Sequence, residues 1–158
     1  MKRVFVLVWT LLAAIITGCQ ESAPPVDLAA EKAGVASVLT AYVAAVEAED
    51  MEAYAANMML DSTMINFGAL GPPIIGWSGL QEVMKGQNES LADIKIDVRD
   101  LNITVAPSGD NAWATSLWTF KGDKGGTPVE LPVRCTWILQ KQQGKWIIVH
   151  FHKSIAAG

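Results

Sequence analysis

The segment that decides the fold is GKWIIVHFHKS, residues 144–154. A glycine turn opens it, apolar and polar side chains then alternate, and His150 and His152 lie two positions apart near its end. Such alternation is typical of a half-buried β-strand, in which residues two positions apart share a face. The segment therefore predicts the last strand of a sheet. It leaves two functions open for the histidines, namely acting on a substrate or stabilising a surface.

The N-terminus has the features of a targeting signal. Lys2 and Arg3 precede a run of thirteen largely apolar residues, 4–16, which is too short to span a bilayer. Residues 16–19, ITGC, resemble the bacterial lipobox, in which the cysteine is lipidated and becomes the first residue of the mature protein. The alternative is an ordinary secretory signal with a chance cysteine.

The resemblance to a lipobox implies a signal peptide over residues 1–18, lipidation at Cys19 and attachment to the bacterial cell envelope. Residue 20 is glutamine rather than aspartate, which in a didermal organism implies the periplasmic face of the outer membrane. Two prolines in the following residues disfavour regular structure, so residues 19–26 are predicted to form a tether.

The composition is that of a single acidic domain, predicted over residues 27–156. The full chain carries 12 basic and 16 acidic residues, and removal of Lys2 and Arg3 leaves 10 against 16, a net charge of −6. An acidic chain without clustered positive charge argues against nucleic-acid binding. If Cys19 is lipidated, Cys135 has no cysteine partner, so it is predicted to be a buried free thiol.

Three helices are predicted in the first part of the chain. Asp27 can cap a first helix that extends to about Glu49, because its apolar residues recur at spacings of three, four and seven. Asp50 can cap a short second helix. A third helix is predicted from Trp77 to about Leu91.

The rest of the chain is mostly strand. A strand is predicted over 62–67, and four more follow over 94–105, 111–121, 129–141 and 145–154. In the first of these four, the apolar residues change parity at Arg99 and Asp100, which predicts a β-bulge and a bend. Helices followed by a curved antiparallel sheet define an α+β domain with the helices on one sheet face.

Parity assigns side chains to the two faces of this sheet. In the last two strands the odd-numbered residues are almost all apolar, and they are predicted to face the helices. The even-numbered residues are mixed, and four polar ones are predicted to lie together on the outer face: Arg134, Thr136, His150 and His152. Trp113 and Trp137 share the odd parity of the predicted cavity side and are predicted to contact a ligand.

Two blocks of the sequence match a known family in register. They comprise Glu52, Tyr54, Thr63, Ala69-Leu70-Gly71 and Gly76, then Gly144-Lys145-Trp146, Val149-His150-Phe151-His152 and Ser154. On these residues the chain resembles the nuclear transport factor 2-like superfamily, which includes SnoaL-like proteins and ketosteroid isomerases. The resemblance is closest to the association (hub) domain of calcium/calmodulin-dependent protein kinase II and its stand-alone bacterial relatives. It implies a cone of three helices wrapped by a curved sheet around a pocket.

The hub resemblance also implies where pocket positions fall. The hub's pocket arginines correspond to Thr115, Trp137 and Lys153, its histidine to Leu80, and its tryptophan to a position near Asn88. Only Lys153 keeps a positive charge, so a more apolar pocket is expected. The predicted ligand pocket comprises Tyr42, Tyr54, Trp113, Thr115, Trp137, Phe151 and Lys153.

Two sharper hypotheses involve catalysis. His150 and His152 could bind a metal ion or act as a general base, but no third histidine completes such a set, so an interface or structural role is favoured. Asp61 could be the carboxylate base of a ketosteroid isomerase-like enzyme, with Tyr42 or Tyr54 donating to the oxyanion. For Asp61 we favour the alternative of a loop or capping residue.

These observations predict an envelope-anchored, non-catalytic module that self-associates as a dimer or larger ring and holds a small apolar or amphipathic ligand. No cofactor, metal or nucleic-acid partner is expected, and contact with the membrane is through the lipid anchor only. The first alternative is a SnoaL-like or ketosteroid isomerase-like enzyme, an isomerase or cyclase that abstracts a proton next to a carbonyl. The second is a structural scaffold with no ligand.

Overall fold

The computed structural model describes residues 25–156, in which three helices pack against one side of a four-stranded sheet. The elements are α1 (Leu28–Glu47), α2 (Met51–Ala55), β1 (Ile65–Asn66), β2 (Ile74–Ile75), α3 (Gly76–Ser90), β3 (Ala92–Val105), β4 (Asn111–Lys124), β5 (Thr127–Gln142) and β6 (Lys145–Ile155). The predicted α+β class, with three helices and a curved antiparallel sheet, is confirmed. The predicted signal peptide, the lipidation of Cys19 and most of the tether lie outside the described residues.

The helices begin where the sequence provides caps. The Asp27 carboxylate accepts hydrogen bonds from the backbone N–H groups of Ala29 and Ala30, each at 3.1 Å, and Asp50 caps α2 in the same way. Both predicted caps are therefore confirmed. At the start of α3, Gly76 has a φ of +67°, and a Cβ there would lie 2.9 Å from a backbone oxygen of the preceding loop. Only glycine fits this position.

The main sheet is an antiparallel meander with the strand order β3-β4-β5-β6. Its longest strands are bent by irregularities in the pairing. In β3 the register shifts between Arg99 and Asn102, and Asp100 has a φ of +54°. This is the bulge that the change of parity predicts. The bend curves the sheet around the helices, so that a concave inner face and a convex outer face result.

The longest helix, α1, lies across the inner face. Its buried residues are Val35, Leu39, Tyr42, Ala45 and Val46, and the carboxylate of Glu47 accepts a hydrogen bond from the Ile96 backbone N–H at 2.6 Å. By length and hydrophobicity alone, α1 could cross a membrane. The buried apolar residues of α1 pack against the sheet and form part of the core of this domain.

A bulge in β6 shows that part of the prediction about the two sheet faces is wrong. Ile138 pairs with His150 whereas the next residue of β5, Leu139, pairs with Ile148, so Val149 is an extra residue. An extra residue exchanges the two faces of a strand. Trp146 and Ile148 are consequently buried, and the prediction that Ile147 and Val149 form the inner face is wrong. Beyond the bulge the prediction is right, since Phe151 is buried on the inner side.

The short strand β1 fixes the end of β6 from its free edge. The predicted strand 62–67 is reduced to Ile65–Asn66, which pairs with the unpredicted strand β2. Asn66 is fully buried, and its side-chain oxygen accepts a hydrogen bond from the Phe151 N–H at 2.7 Å. Phe67 exchanges backbone hydrogen bonds with Phe151 and Lys153. These bonds hold Phe151 and Lys153 in a defined place on the inner face.

Candidate functional site

The inner face of the sheet and the helices border a cavity of about 240 Å³. Its walls are mostly apolar and include Val46, Tyr54, Leu80, Met84, Trp118, Phe120, Leu131, Val133 and Phe151. Two lining side chains carry strongly polar groups, the amide of Gln87 and the amine of Lys153. The cavity is therefore an apolar chamber with an amide and an amine in its wall.

Lys153 reaches this cavity because it follows the bulge in β6. It pairs with Cys135 of β5 on the inner face. Its Nζ lies 4.6–5.4 Å from the ring centres of four aromatic residues, Tyr42, Trp118, Trp137 and Phe151. Aromatic faces at such distances attract a cation. The amine thus sits in a cage of aromatic rings at the side of the cavity.

Two buried tyrosines form a hydrogen-bonded chain with this lysine. Lys153 Nζ donates to the Tyr42 hydroxyl at 3.0 Å, and the hydroxyls of Tyr42 and Tyr54 are 3.0 Å apart. Since Tyr42 accepts from the lysine, its own proton is free to be donated to Tyr54. Tyr54 also lines the cavity. A continuous polar path therefore connects the amine with a second point on the cavity wall.

The charge of Lys153 is not balanced by an acidic side chain in residues 25–156, where no carboxylate oxygen lies within 4.0 Å of its Nζ. Burial removes hydration from the ammonium group and lowers the pKa of Lys153 to about 8. The same burial raises the pKa of Tyr42 and of Tyr54, and raises the pKa of the Cys135 thiol to about 11. The phenols and the thiol are consequently neutral at physiological pH.

Gln87 supplies the second polar group of the cavity. Its side-chain nitrogen is buried and has no hydrogen-bond partner among the residues that the structure describes. A buried donor without an acceptor costs free energy, which an acceptor on a ligand would recover. Gln87 is absent from the predicted pocket, although it interrupts the apolar stripe that Leu80 and Met84 form on α3 and that Leu91 continues just after it. A polar residue within such a stripe is the sequence signal that identifies it.

The structure brings together part of the predicted pocket. Tyr54, Phe151 and Lys153 line the cavity, and Tyr42 lies behind Lys153 as its hydrogen-bond acceptor. Trp137 is buried and contributes instead to a second cavity of about 390 Å³ between α1 and strands β3–β5. Trp118, which is absent from the predicted pocket, lines both cavities.

Trp113 and Thr115 are the predicted pocket residues that the structure places elsewhere. Trp113 is 50% exposed, and both lie on the outer face of β4. The prediction for Trp113 is wrong because it carries odd parity from one strand to the next, and the pocket position that the hub resemblance implies for Thr115 falls on the same outer face. The observed register pairs Trp113 with Ile138 and Thr115 with Thr136, so odd residues of β4 share a face with even residues of β5. That register is not visible in either strand alone.

The four polar residues predicted on the outer face do share that face. Thr136 pairs with His152, and the neighbouring residue Arg134 donates to a backbone oxygen at the end of β6 at 3.2 Å. His150 Nδ1 is 2.6 Å from the Ile65 carbonyl oxygen, to which it donates. This single hydrogen bond to β1 gives His150 a structural partner. The role of the cluster in assembly stays a prediction.

Asp61 lies in the exposed loop before β1 and does not line either cavity. Its carboxylate accepts hydrogen bonds from the Thr63 hydroxyl at 2.5 Å and from the Thr63 N–H at 2.6 Å. These bonds lower the pKa of Asp61 below its ordinary value, which makes the carboxylate a weaker base. Within residues 25–156, no group of three His, Cys, Asp or Glu side chains is arranged to hold a metal ion.

A helix-covered α+β cone with an apolar cavity is the class of domain that the fold and the site define. A family model for the SnoaL-like domain matches residues 35–158, and the chain belongs to that family. A comparison with curated proteins gave no match.

Solved structures share the fold at low sequence identity. A proposed dehydratase of the nuclear transport factor 2-like family from Streptomyces avermitilis has a TM-score of 0.74 at 16% identity, over 82% of this chain and 99% of that chain. A ketosteroid isomerase-like protein from Erwinia carotovora has a TM-score of 0.67 at 21% identity, over 81% and 98%.

A proposed calcium/calmodulin-dependent protein kinase II association domain from Xanthomonas campestris also shares the fold. Its TM-score is 0.67 at 18% identity, over 77% of this chain and 85% of that chain. The predicted nuclear transport factor 2-like fold is therefore confirmed. At these identities the similarity concerns the fold alone, so the function has to be argued from the cavity itself.

Proposed function

We propose that this domain is a non-catalytic module that binds a small apolar or amphipathic ligand in the cavity beside Lys153. The observation that carries the proposal is the uncompensated amine of Lys153 in an otherwise apolar cavity. Small-molecule sites are mostly apolar concavities with a few polar groups that orient the ligand. Lys153 and the unpartnered amide of Gln87 are such groups.

The dimensions of the cavity limit the ligand. Its volume of about 240 Å³ is below the range of roughly 300–1,000 Å³ that is usual for drug-sized ligands. The proposed ligand is therefore small, with an apolar body that fits against Leu80, Met84 and Trp118. At least one polar atom of the ligand would pair with the amine or the amide.

The cavity argues against both alternatives. An enzyme that abstracts a proton next to a carbonyl with a carboxylate base would need that base in the cavity, but the lining contains no Asp or Glu among the described residues. A scaffold without a ligand would gain nothing from a cavity amide that lacks a hydrogen-bond partner, or from an amine that lacks a counter-charge, within residues 25–156. A ligand with a hydrogen-bond acceptor satisfies both groups.

The proposed binding can be tested by saturation-transfer NMR with benzyl alcohol, a small molecule with an apolar ring and one hydroxyl. We expect transfer from the wild-type protein and its loss in Met84→Trp, because the larger side chain fills the cavity. Leu60→Trp is the matched control, since Leu60 is 58% exposed and lines neither cavity. Equal transfer to all three proteins would contradict binding at this site.

We also propose that the outer face of the sheet mediates self-association. Trp113, Leu117 and Ile138 are exposed there and lie beside Arg134 and Thr136. An apolar centre with a polar rim has the composition of a protein interface. We propose a second copy of the chain as the occupant, because the face offers apolar surface together with donors and acceptors, as a two-fold interface requires.

Light scattering tests the proposed assembly. We expect a dimer or larger ring at tens of micromolar protein, and a monomer after Trp113→Asp, which puts a charge at the centre of the interface. A wild-type protein that is monomeric at these concentrations would refute the proposal.

We propose separately that the domain is anchored to the cell envelope through a lipid on Cys19. Mass spectrometry of the mature N-terminus tests this anchor, and an unmodified Cys19 would contradict it.

A further inference from the structure

We propose that Lys153 captures a small apolar aldehyde or ketone as a reversible imine, an inference that rests on the proposed ligand-binding function and names its chemical class. The observation behind it is the surroundings of the amine. Lys153 lines the cavity, and its Nζ is caged by aromatic rings and donates to the Tyr42 hydroxyl at 3.0 Å. A lysine binds an anion through its charged ammonium group, whereas it forms an imine only through its neutral amine. The question is therefore how much of Lys153 is neutral.

The environment raises the share of neutral amine above that of an exposed lysine. The titratable groups that face Lys153 are Tyr42 from α1, with Tyr54 of α2 behind it, and Cys135 from β5. All three are uncharged near neutral pH because burial raises each pKa. With its own pKa at about 8, Lys153 is about a quarter neutral at pH 7.5, against roughly a thousandth for an exposed lysine. A desolvated lysine in an apolar pocket is an activated nucleophile.

The tyrosine chain provides a path for the protons. The neutral Nζ attacks the carbonyl carbon, a C–N bond forms, and the electron pair of the C=O π bond moves to oxygen. The Tyr54 hydroxyl, which lines the cavity, gives its proton to that oxygen and takes one from Tyr42, which in turn receives one from nitrogen, so no phenolate accumulates. The C–O bond of the resulting carbinolamine then breaks as the nitrogen lone pair forms the C=N bond, and the leaving hydroxide takes the second proton from nitrogen and departs as water. Overall, amine and carbonyl give imine and water, with no change in oxidation state.

The cavity would favour the imine over its hydrolysis. Its lining is mostly apolar, so the released water gains by leaving it, and the aromatic walls would pack against the body of the ligand. The unpartnered amide of Gln87 can donate to a second oxygen of the ligand. We therefore infer that the favoured ligand is a compact apolar carbonyl compound with a further hydrogen-bond acceptor.

The test equilibrates the purified protein with benzaldehyde at about pH 7.5 and then reduces any imine with borohydride. The expected product is a secondary amine whose added mass is that of the aldehyde less one oxygen atom. Peptide mapping should find it on Lys153 with an occupancy at least about tenfold above that of Lys85, whose side chain is 75% exposed and serves as an internal reference. Label on exposed lysines without label on Lys153 would overturn the proposal.

Substitutions of the lysines and of Tyr42, and the pH dependence of labelling, make this test more specific. Lys153→Met should abolish the label whereas Lys85→Met should not, and the comparison of peptides in the wild-type protein holds even if a variant fails to fold. Tyr42→Phe should slow imine formation at Lys153, because it removes the hydroxyl that accepts from Nζ. The Lys153 label should level off above about pH 8. A Lys153 label that keeps rising steeply beyond about pH 9 would contradict the inference.

Benzyl alcohol distinguishes the inference from the function on which it rests. If benzyl alcohol binds in the cavity but benzaldehyde is not trapped on Lys153, the imine proposal fails and the binding function stands. If neither compound binds, the binding function itself fails. Competition by benzoate together with no trapping of benzaldehyde would make Lys153 an anion-binding residue and would likewise overturn the imine proposal.

Discussion

The two faces of β6 carry polar residues in opposite situations. On the outer face, His150 donates to the Ile65 carbonyl and lies with His152 beside the ring of Phe67. On the inner face, Lys153 has a phenol as its hydrogen-bond partner and no acidic neighbour within residues 25–156. Histidine is the residue type most often associated with catalysis, yet His150 already has a hydrogen-bond partner within the fold. Lys153, in contrast, has no opposite charge nearby in the part of the chain that the structure describes. Unsatisfied buried groups, more than residue type, indicate a site.

The largest effect that separates the two faces should come from tryptophan truncation. Trp137→Ala removes a ring that is 1% exposed, so we expect a loss of about 3–5 kcal/mol in the free energy of unfolding. Trp113→Ala, the matched change on the outer face, should cost under about 1 kcal/mol at low protein concentration. Urea denaturation checks both. Equal losses of unfolding free energy in the two variants would contradict the burial of Trp137 and the exposure of Trp113.

The next largest effect is expected at Lys153, where replacement of the residue should raise the free energy of unfolding rather than lower it. The ammonium is less stable in the folded state, so Lys153→Met should raise the free energy of unfolding at pH 7 by about 2–3 kcal/mol. Because the folded pKa lies below the unfolded one, the unfolded state binds more protons between about pH 8 and pH 10.5. Wild-type stability should therefore rise relative to the variant across that window.

Lys85→Met is the control for this prediction, because Lys85 is exposed and its replacement should change stability by under about 0.5 kcal/mol. Denaturation curves of the wild type, Lys153→Met and Lys85→Met at several pH values check these expectations. If Lys153→Met were less stable than the wild type at pH 7, the lysine would be a structural element rather than a group kept at a cost to stability.

The smallest effects are expected for the histidines. His150→Ala should cost about 1 kcal/mol, because it removes the hydrogen bond to the Ile65 carbonyl. His152→Ala should change monomer stability by under about 0.5 kcal/mol and should weaken self-association, since the side chain is exposed on the outer face. Calorimetry at low and high protein concentration separates the two. Loss of ligand binding in a fully assembled His152→Ala protein would reverse our assignment.

Much of the fold follows from local patterns in the sequence. Asp27 and Asp50 cap helices because their carboxylates reach nearby backbone N–H groups, which is a local property. The change of parity at Arg99 and Asp100 predicts a bulge because it breaks the alternation within one strand. Such features need no knowledge of distant residues.

The parts of the site that the sequence did not predict depend on register. The placement of Trp113 requires the pairing between β4 and β5, and the burial of Trp146 requires the bulge at Val149. Neither follows from alternation in a single strand. Gln87 is different, since its position within the apolar stripe of α3 was available from the sequence. What the sequence could not show is that its amide lacks a partner.

Methyl NMR with labelled methionine tests the central claim, that the cavity beside Lys153 is a ligand site. Met84 lines the cavity, whereas Met58 and Met64 are buried outside its lining and serve as internal controls. On titration with benzyl alcohol, we predict a saturable shift of the Met84 methyl signal and little change in the other two. A Met84 signal that stays fixed, or that moves together with both controls, would contradict the account.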